Sequence, residues 1–211
     1  MTLFRRLALA TAVLLLAGSA SQAWAGAPTD QLKAQIDRVL RVMEAPEYKK
    51  EGKQRDRRAA VRQIANEIFD FTETARRSLG RHWQSRTPAE RQEFVALFSD
   101  LLERSYISKI ELYGGERISY LGDTIDGDVS FVRTKLTTKH GTDIPIEYRM
   151  LRRGDKWMVY DVVIEGISLI ANYRTQFNKI IQTSSYQELV QRMKTKQDEF
   201  EATHANEPKR T

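Results

Sequence analysis

The stretch WMVYDVVI, residues Trp157–Ile164, is apolar at almost every position. A strand with one solvated face alternates apolar and polar residues, so this unbroken run predicts a strand that is covered on both faces and central in its sheet. After Gly166 the period changes, because Ile170, Tyr173 and Phe177 recur at the spacing of a helical stripe. We expect this strand and the helix after it to pack together in the core of a single domain. Strict alternation places Trp157, Val159 and Val163 on one face of the strand and Met158, Tyr160, Val162 and Ile164 on the other.

Three further strand-like segments precede this one: Ile118–Ile125, Val129–Thr138 and Ile144–Arg152. Turn dipeptides separate the four segments, namely Asp126-Gly127, His140-Gly141 and Gly154-Asp155. Because short turns join antiparallel neighbours, the sequence predicts a curved antiparallel four-stranded sheet.

Amphipathic segments flank the strands on both sides. Helix starts are indicated near Leu32, Val61 and Asp70, and the capping boxes at Thr87 and Ser185 open two more helices. The order helices, sheet, helices predicts an α+β domain with the helices packed on one face of the sheet. Such a roofed sheet can leave an apolar pocket, although the pattern alone does not distinguish a pocket from a filled core.

The first residues have the form of an export signal. Arg5 and Arg6 precede an apolar run that is too short to span a bilayer, and Ala23-Trp-Ala25 is a small-x-small cleavage site. We expect residues 1–25 to be a cleaved signal peptide, 26–200 to be a single domain and 201–211 to be a polar, disordered tail. No cysteine follows the apolar run, so a lipoprotein anchor is excluded and the mature protein is expected to be soluble.

Few residues are suited to cofactor chemistry. The chain has no cysteine, which excludes disulfides and thiolate metal sites. His82, His140 and His204 are far apart, and none has a carboxylate at a ligand spacing, so no metal is expected. Neither a phosphate loop after a strand nor a nucleophile elbow is present. We therefore expect no cofactor and no catalytic residue.

Two carboxylates lie in or beside the central strand. Asp161 in an apolar pocket could have a raised pKa and act as a general base, while the alternative is a structural carboxylate that an arginine satisfies. Glu165 is interpreted as an acceptor for backbone N–H groups at the start of the next helix. An enzyme with Asp161 as its base is thus the alternative hypothesis of another class.

The chain is mildly basic. Its formal charge of +6 comes from 34 Lys and Arg against 28 Asp and Glu, and the loss of Arg5 and Arg6 leaves +4. Basic stretches occur at Lys49–Arg58, Arg76–Arg86 and Arg133–Lys139. The first is interpreted as a solvated connection or a docking patch. The other two have aromatic residues nearby, a combination that can bind nucleic acid, but export argues against this function, so no nucleic-acid partner is expected.

Two segments carry a family resemblance. They are TPAERQEF, residues Thr87–Phe94, with Phe98 and Tyr106, and YDVVIEGISL, residues Tyr160–Leu169, with Tyr173, Arg174 and Phe177. Together they resemble the periplasmic lipid-binding component of the Mla phospholipid transport system, also called the toluene-tolerance family. The resemblance covers the chain from about residue 31 to residue 193.

The resemblance implies a nuclear-transport-factor-like cone with an apolar cavity that holds phospholipid acyl chains. It implies a soluble, periplasmic, monomeric carrier that maintains outer-membrane lipid asymmetry. Its partners would be phospholipid, an inner-membrane ABC-transporter complex and an outer-membrane lipoprotein–porin complex. A sister group linked to hopanoids leaves hopanoid or another isoprenoid as an alternative cargo.

The candidate cavity residues belong to the long helix, the strands and the closing helix. They are Phe98, Leu101, Leu102, Phe131, Ile146, Tyr148, Met150, Met158, Tyr160, Val162, Ile167, Ile170, Tyr173 and Phe177.

Overall fold

The computed structural model describes residues 27–111 and 113–205. The predicted signal peptide, 1–25, and residues 206–211 of the predicted tail lie outside the described residues. The elements in chain order are α1 Ala27–Glu44, α2 Pro46–Lys49, α3 Gln54–Ile68, α4 Phe71–Leu79, a 3₁₀ turn Gly80–His82, α5 Pro88–Glu111, β1 Arg117–Asp126, β2 Val129–Thr137, β3 Asp143–Arg153, β4 Lys156–Ile164, β5 Ile167–Ser168, α6 Leu169–Thr183 and α7 Tyr186–Ala205. Helix α7 thus continues past the predicted domain boundary at residue 200.

The sheet is antiparallel throughout, in the order β1-β2-β3-β4-β5. The prediction of an α+β domain with an antiparallel sheet is confirmed, but four strands is one too few. Ile164 pairs with Ile167 across a two-residue turn, in which Glu165 has φ 50° and Gly166 has φ 82°. Two consecutive positive φ values suit the twist of a tight hairpin. Glu165 is therefore a turn residue, and its predicted role at the helix start is wrong.

A β-bulge in β4 changes which side chains share a face. Arg149 pairs with Asp161 and Met150 pairs with Val159, so Tyr160 is the extra residue. Residues directly opposite one another in antiparallel strands project to the same side. We call the side toward α1 face A and the other side face B. The register places on face A the residues Val132, Thr134, Ile146, Tyr148, Met150, Trp157, Val159, Val162 and Ile164.

The predicted alternation along β4 is wrong beyond the bulge. Met158 lies on face B and Val162 on face A, and Tyr160 between them packs toward α4. The hydroxyl of Thr74 donates to the Tyr160 carbonyl at 3.2 Å, and the Arg77 guanidinium lies 3.9 Å from the centre of the tyrosine ring. These contacts come from a helix about eighty residues earlier, so the local pattern of β4 does not reveal them.

The helices begin and end mostly where capping chemistry predicts. Thr87 and Glu90 form a reciprocal capping box, with N–H to side-chain distances of 2.8 and 3.2 Å. Ser185 accepts from the Glu188 N–H at 3.0 Å at the start of α7. In contrast, α3 begins at Gln54, so the basic stretch Lys49–Arg58 is partly helical rather than a connection throughout.

The core of the described residues is divided into three apolar clusters. The helical cluster joins α4, α5, α6 and α7 around Phe94, Phe98 and Phe177, whose ring centroids lie 5.3 to 5.8 Å apart. The sheet cluster joins α1 and α3 to face A. A small third cluster holds Met43 and Val61 near the end of α5. This division leaves apolar surface at the edges of the clusters.

Candidate functional site

Burial changes along face A. At one end Val132, Met150, Trp157 and Val159 are buried beneath α1 and α3. Toward the other end the apolar residues are only partly buried, namely Ile118, Tyr120, Leu136, Ile146, Tyr148, Val162 and Ile164. A filled core would bury both ends equally, so this gradient indicates an apolar surface that the protein leaves partly uncovered.

Helix α5 shows the same change along its length. Phe94, Leu97 and Phe98 in its first half are buried, whereas Leu102 and Tyr106 in its second half are partly exposed. Phe98, Leu102 and Tyr106 are spaced by four residues and therefore lie on one side of the helix. Burial and the neighbouring Tyr173 raise the pKa of Tyr106 above its ordinary value of 10.0.

The packing partners of α5 explain its partly exposed half. Within the described residues its main helix partners are α4 and α7. Further along, Glu103 pairs with Arg62 of α3 at 2.5 Å, and Ile110 packs against the third cluster. The second half of α5 thus runs from one cluster to another. We use the name apolar cleft for the partly buried apolar residues of this half of α5, of the end of α1 and of the less buried end of face A.

Two tyrosines mark the polar part of the apolar cleft. Burial raises the pKa of Tyr148 to about 12, partly offset by its hydrogen bond with Thr134. Burial, with Asp37 and Tyr148 nearby, also raises the pKa of Tyr120. The Tyr120 hydroxyl oxygen is buried and has no hydrogen-bond partner among the described residues. Since an unpaired buried hydroxyl is costly, this position favours a bound polar group or a water molecule.

Asp161 anchors the first turn of α6 to the sheet. Its carboxylate accepts from the Ser168 hydroxyl at 2.6 Å and from the Ile170 N–H at 3.1 Å, and Arg149 lies at 3.5 Å. Ser168 in turn caps α6 by accepting from the Ala171 N–H at 3.0 Å. Both carboxylate oxygens are therefore engaged, which agrees with the structural interpretation of Asp161 rather than with a general base.

The predicted cavity residues fall into three groups. Those at or beside the apolar cleft are Leu101, Leu102, Ile146, Tyr148, Val162 and Tyr173. Those within the filled clusters are Phe98, Met150, Ile170 and Phe177. Those placed elsewhere are Phe131 and Met158 on face B, Tyr160 under Arg77, and Ile167, which is 62% exposed on the hairpin. The predicted residues thus lie in three different surroundings.

Sequence reasoning missed the contribution of α1. Ile36, Val39 and Val42 pack at the margin of the sheet cluster and are only partly buried. Their helical stripe was visible, but a stripe is the same whether it faces a filled core or a cleft. Tyr120 was missed as well, because its strand is at the edge of the sheet.

Two further features concern cofactors and membranes. Among residues 27–111 and 113–205, no group of three or more potential metal ligands comes together. Within the same residues, none of the helices has the length and apolar character that crossing a bilayer requires.

Comparison with known proteins identifies the family. The model of the family described as MlaC protein matches residues 33–195. The chain belongs to the MlaC family. The resemblance seen in the sequence is thereby confirmed, and the match includes α5, the whole sheet and α6.

Curated MlaC relatives match part of their own length. The intermembrane phospholipid transport system binding protein MlaC of Haemophilus influenzae is 25% identical over 120 residues, which are 54% of this chain and 56% of that protein. Toluene tolerance protein ttg2D of Pseudomonas putida is 28% identical over 97 residues, 46% of this chain and 45% of that protein. The matched segments thus span about half of each relative.

A solved structure matches over a greater length. The phospholipid-binding protein from Ralstonia solanacearum, determined in complex with a phospholipid, superposes with a TM-score of 0.72 at 25% identity. The match covers 85% of this chain and 99% of that protein. The arrangement of antiparallel sheet and helices in this MlaC-family chain is therefore also that of a phospholipid-binding protein.

Proposed function

We propose that this protein is a periplasmic lipid carrier that holds phospholipid acyl chains in the apolar cleft. The observation that carries the proposal is the half-burial of apolar residues on α1, on face A and in the second half of α5. The relatives named for phospholipid transport and phospholipid binding support it. The nuclear-transport-factor-like cone is part of the proposal, with the fully buried end of face A as the closed tip.

Acyl chains supply the binding energy in this proposal. Each CH₂ removed from water contributes about 0.8 kcal/mol, so two chains outweigh the cost of lifting a lipid from a bilayer only if the cleft excludes water. Leu102, Tyr148 and Val162 have uncharged side chains that can contact acyl chains. A carrier of this kind needs no catalytic group or cofactor.

The same proposal extends to the partners. A monomer that carries lipid between an inner-membrane ABC-transporter complex and an outer-membrane lipoprotein–porin complex would maintain outer-membrane lipid asymmetry. The name of the Haemophilus influenzae relative, which assigns it to an intermembrane phospholipid transport system, supports this extension. The predicted signal peptide would deliver the chain to the periplasm.

Native mass spectrometry of the protein purified from bacterial periplasm tests the proposal. We expect a stoichiometric adduct with the mass of a phospholipid, which organic extraction would recover and identify. A hopanoid or another isoprenoid adduct would keep the carrier but replace its cargo. A lipid-free mass that persists after incubation with liposomes would contradict the proposal.

Replacing Tyr120 with phenylalanine tests whether its hydroxyl contacts the cargo. The lipid-free variant should be as stable as the wild type, because the hydroxyl has no partner among the described residues. The loaded variant should release lipid faster by about three- to tenfold, the worth of one neutral hydrogen bond. Transfer of a fluorescent phospholipid to acceptor vesicles measures this rate.

Tyr48→Phe is the matched control, since Tyr48 lies on the short helix α2 and not on the sheet that carries Tyr120. If Tyr120→Phe and Tyr48→Phe release lipid at the wild-type rate, the hydroxyl of Tyr120 does not bind the cargo. In that case the native mass spectrometry measurement would still decide whether the protein carries lipid.

A further inference from the structure

An open groove of about 370 Å³ lies away from the apolar cleft, between the end of α4 and the outer side of α6. Its lining consists of Leu79, Gly80, Arg81, His82, Arg174, Thr175 and Asn178. This lining contains two arginines and a histidine but no carboxylate. The lipid-carrying proposal assigns no role to any of these residues.

The charged side chains of the groove are not neutralised from within the described residues. Arg174 has neither an ion pair nor a hydrogen bond among them. Arg81 donates one hydrogen bond, to the Asn178 side-chain oxygen at 2.9 Å, and keeps its other N–H groups available. His82 Nε2 lies 3.0 Å from the same oxygen. Because an amide oxygen only accepts, this contact requires a proton on Nε2.

The acidic residues nearest to Arg81 along the chain pair with other arginines. Glu73 of α4 pairs with Arg76 and Arg77 at 2.6 and 2.7 Å. Glu90 of α5 pairs with Arg86 at 3.3 Å. Helix α6 contains no acidic residue. The groove therefore carries an uncompensated positive charge on both of its walls.

The backbone at Gly80 holds one wall against the other. Gly80 has φ 55°, and a β-carbon placed there would lie 3.2 Å from Cδ of Arg174. Only glycine meets both conditions without strain. The aliphatic part of Arg174 therefore lies directly on the turn, and both Arg174 and Arg81 line the groove.

We propose that this groove is a phosphate-binding site, in which Arg81 and Arg174 hold one phosphate group. Guanidinium forks match phosphate oxygens in a bidentate geometry. The Nε2–H of His82 is already donated to Asn178 and the hydroxyl of Thr175 to the Ala171 carbonyl at 3.0 Å, so the donors of the site are the two guanidinium groups. The phosphate can belong to a lipid head group in a membrane or to a free phosphate, since the groove is open to solvent. The inference does not depend on lipid carriage in the apolar cleft.

The test uses two probes at low ionic strength, because salt screens exposed charges over about 10 Å at 0.1 M. Inorganic phosphate is titrated while the Nε–H signals of Arg81 and Arg174 are followed by NMR. Vesicles of phosphatidylglycerol are then sedimented with the protein, with phosphatidylcholine vesicles as the reference. Lipid content is measured in the same samples, so a failure of the carrier proposal is seen separately.

We expect Arg81→Gln and Arg174→Gln each to weaken phosphate binding by about tenfold or more, the worth of a charged hydrogen bond. The phosphate affinity of Arg174→Lys should lie between those of the wild type and Arg174→Gln, because lysine keeps the charge but loses the bidentate geometry of the guanidinium group. Lys179→Gln is the matched control: it removes one charge from α6 outside the groove and should change binding by less than about twofold.

Each outcome decides the proposal. Binding of inorganic phosphate that depends on both arginines supports it, and binding only to phosphatidylglycerol vesicles with the same dependence supports it with a head group as the source. Absence of binding to both probes overturns it. An equal loss in Lys179→Gln overturns it too, because that result describes a general basic surface and not a site.

Discussion

Asp161→Ala is expected to destabilise the protein by about 3 kcal/mol or more, since hydrogen bonds to a charged group contribute about 1.5–3 kcal/mol each. The carboxylate is 5% exposed and accepts from Ser168 and from the Ile170 N–H. Its removal leaves the first turn of α6 without its link to β4. Urea unfolding measures the loss, and hydrogen exchange at the Ile170 amide should become faster.

Glu147→Ala is the matched control for this change. Glu147 contacts the same arginine, Arg149, at 3.1 Å, but the pair is about one-third exposed. Partly exposed ion pairs contribute less than about 1 kcal/mol. Equal losses in Asp161→Ala and Glu147→Ala would mean that Asp161 acts only through Arg149, which contradicts the anchoring role. Preserved stability in Asp161→Ala would contradict it directly.

The sheet was predicted well where its signals are local. The turn dipeptide Gly154-Asp155 predicts the start of β4, which begins directly after it at Lys156. The bulge at Tyr160 was not predictable, because Thr74 and Arg77 hold that residue from a distant helix. Strand β5 has two residues, which is too short for any periodicity to indicate.

The candidate site was predicted less well, because partial burial is a tertiary property. Tyr148 and Met150 share face A and are separated by one residue, yet Met150 is 1% exposed and Tyr148 is only partly buried. Phe98 and Leu102 share one side of α5, yet Phe98 is 1% exposed beneath Tyr173 and Phe177 of α6 whereas Leu102 is only partly buried. An apolar pattern identifies the inward side of an element, whereas neighbouring elements decide whether that side is filled or left open.

Leu102→Asp should remove bound lipid from a protein that still folds. Leu102 lies in the partly exposed half of α5, so a carboxylate there stays hydrated when the cleft is empty. Acyl chains would strip that water, at a cost of several kcal/mol, and lipid affinity should fall by about a hundredfold or more. Val162→Asp places a carboxylate on the sheet side of the cleft and should also lower the lipid affinity. Lipid bound per protein is measured by extraction after loading from liposomes.

The control for charge alone is Leu121→Asp, because Leu121 is 60% exposed on the bulge of edge strand β1. It should retain normal lipid. Leu102→Met should also retain it, since methionine keeps the apolar volume. Normal lipid content in folded Leu102→Asp and Val162→Asp would place the cargo outside the apolar cleft even if the protein is a carrier. Loss of lipid in Leu102→Asp but not in Leu121→Asp would show that the cargo binds in the apolar cleft beside the second half of α5.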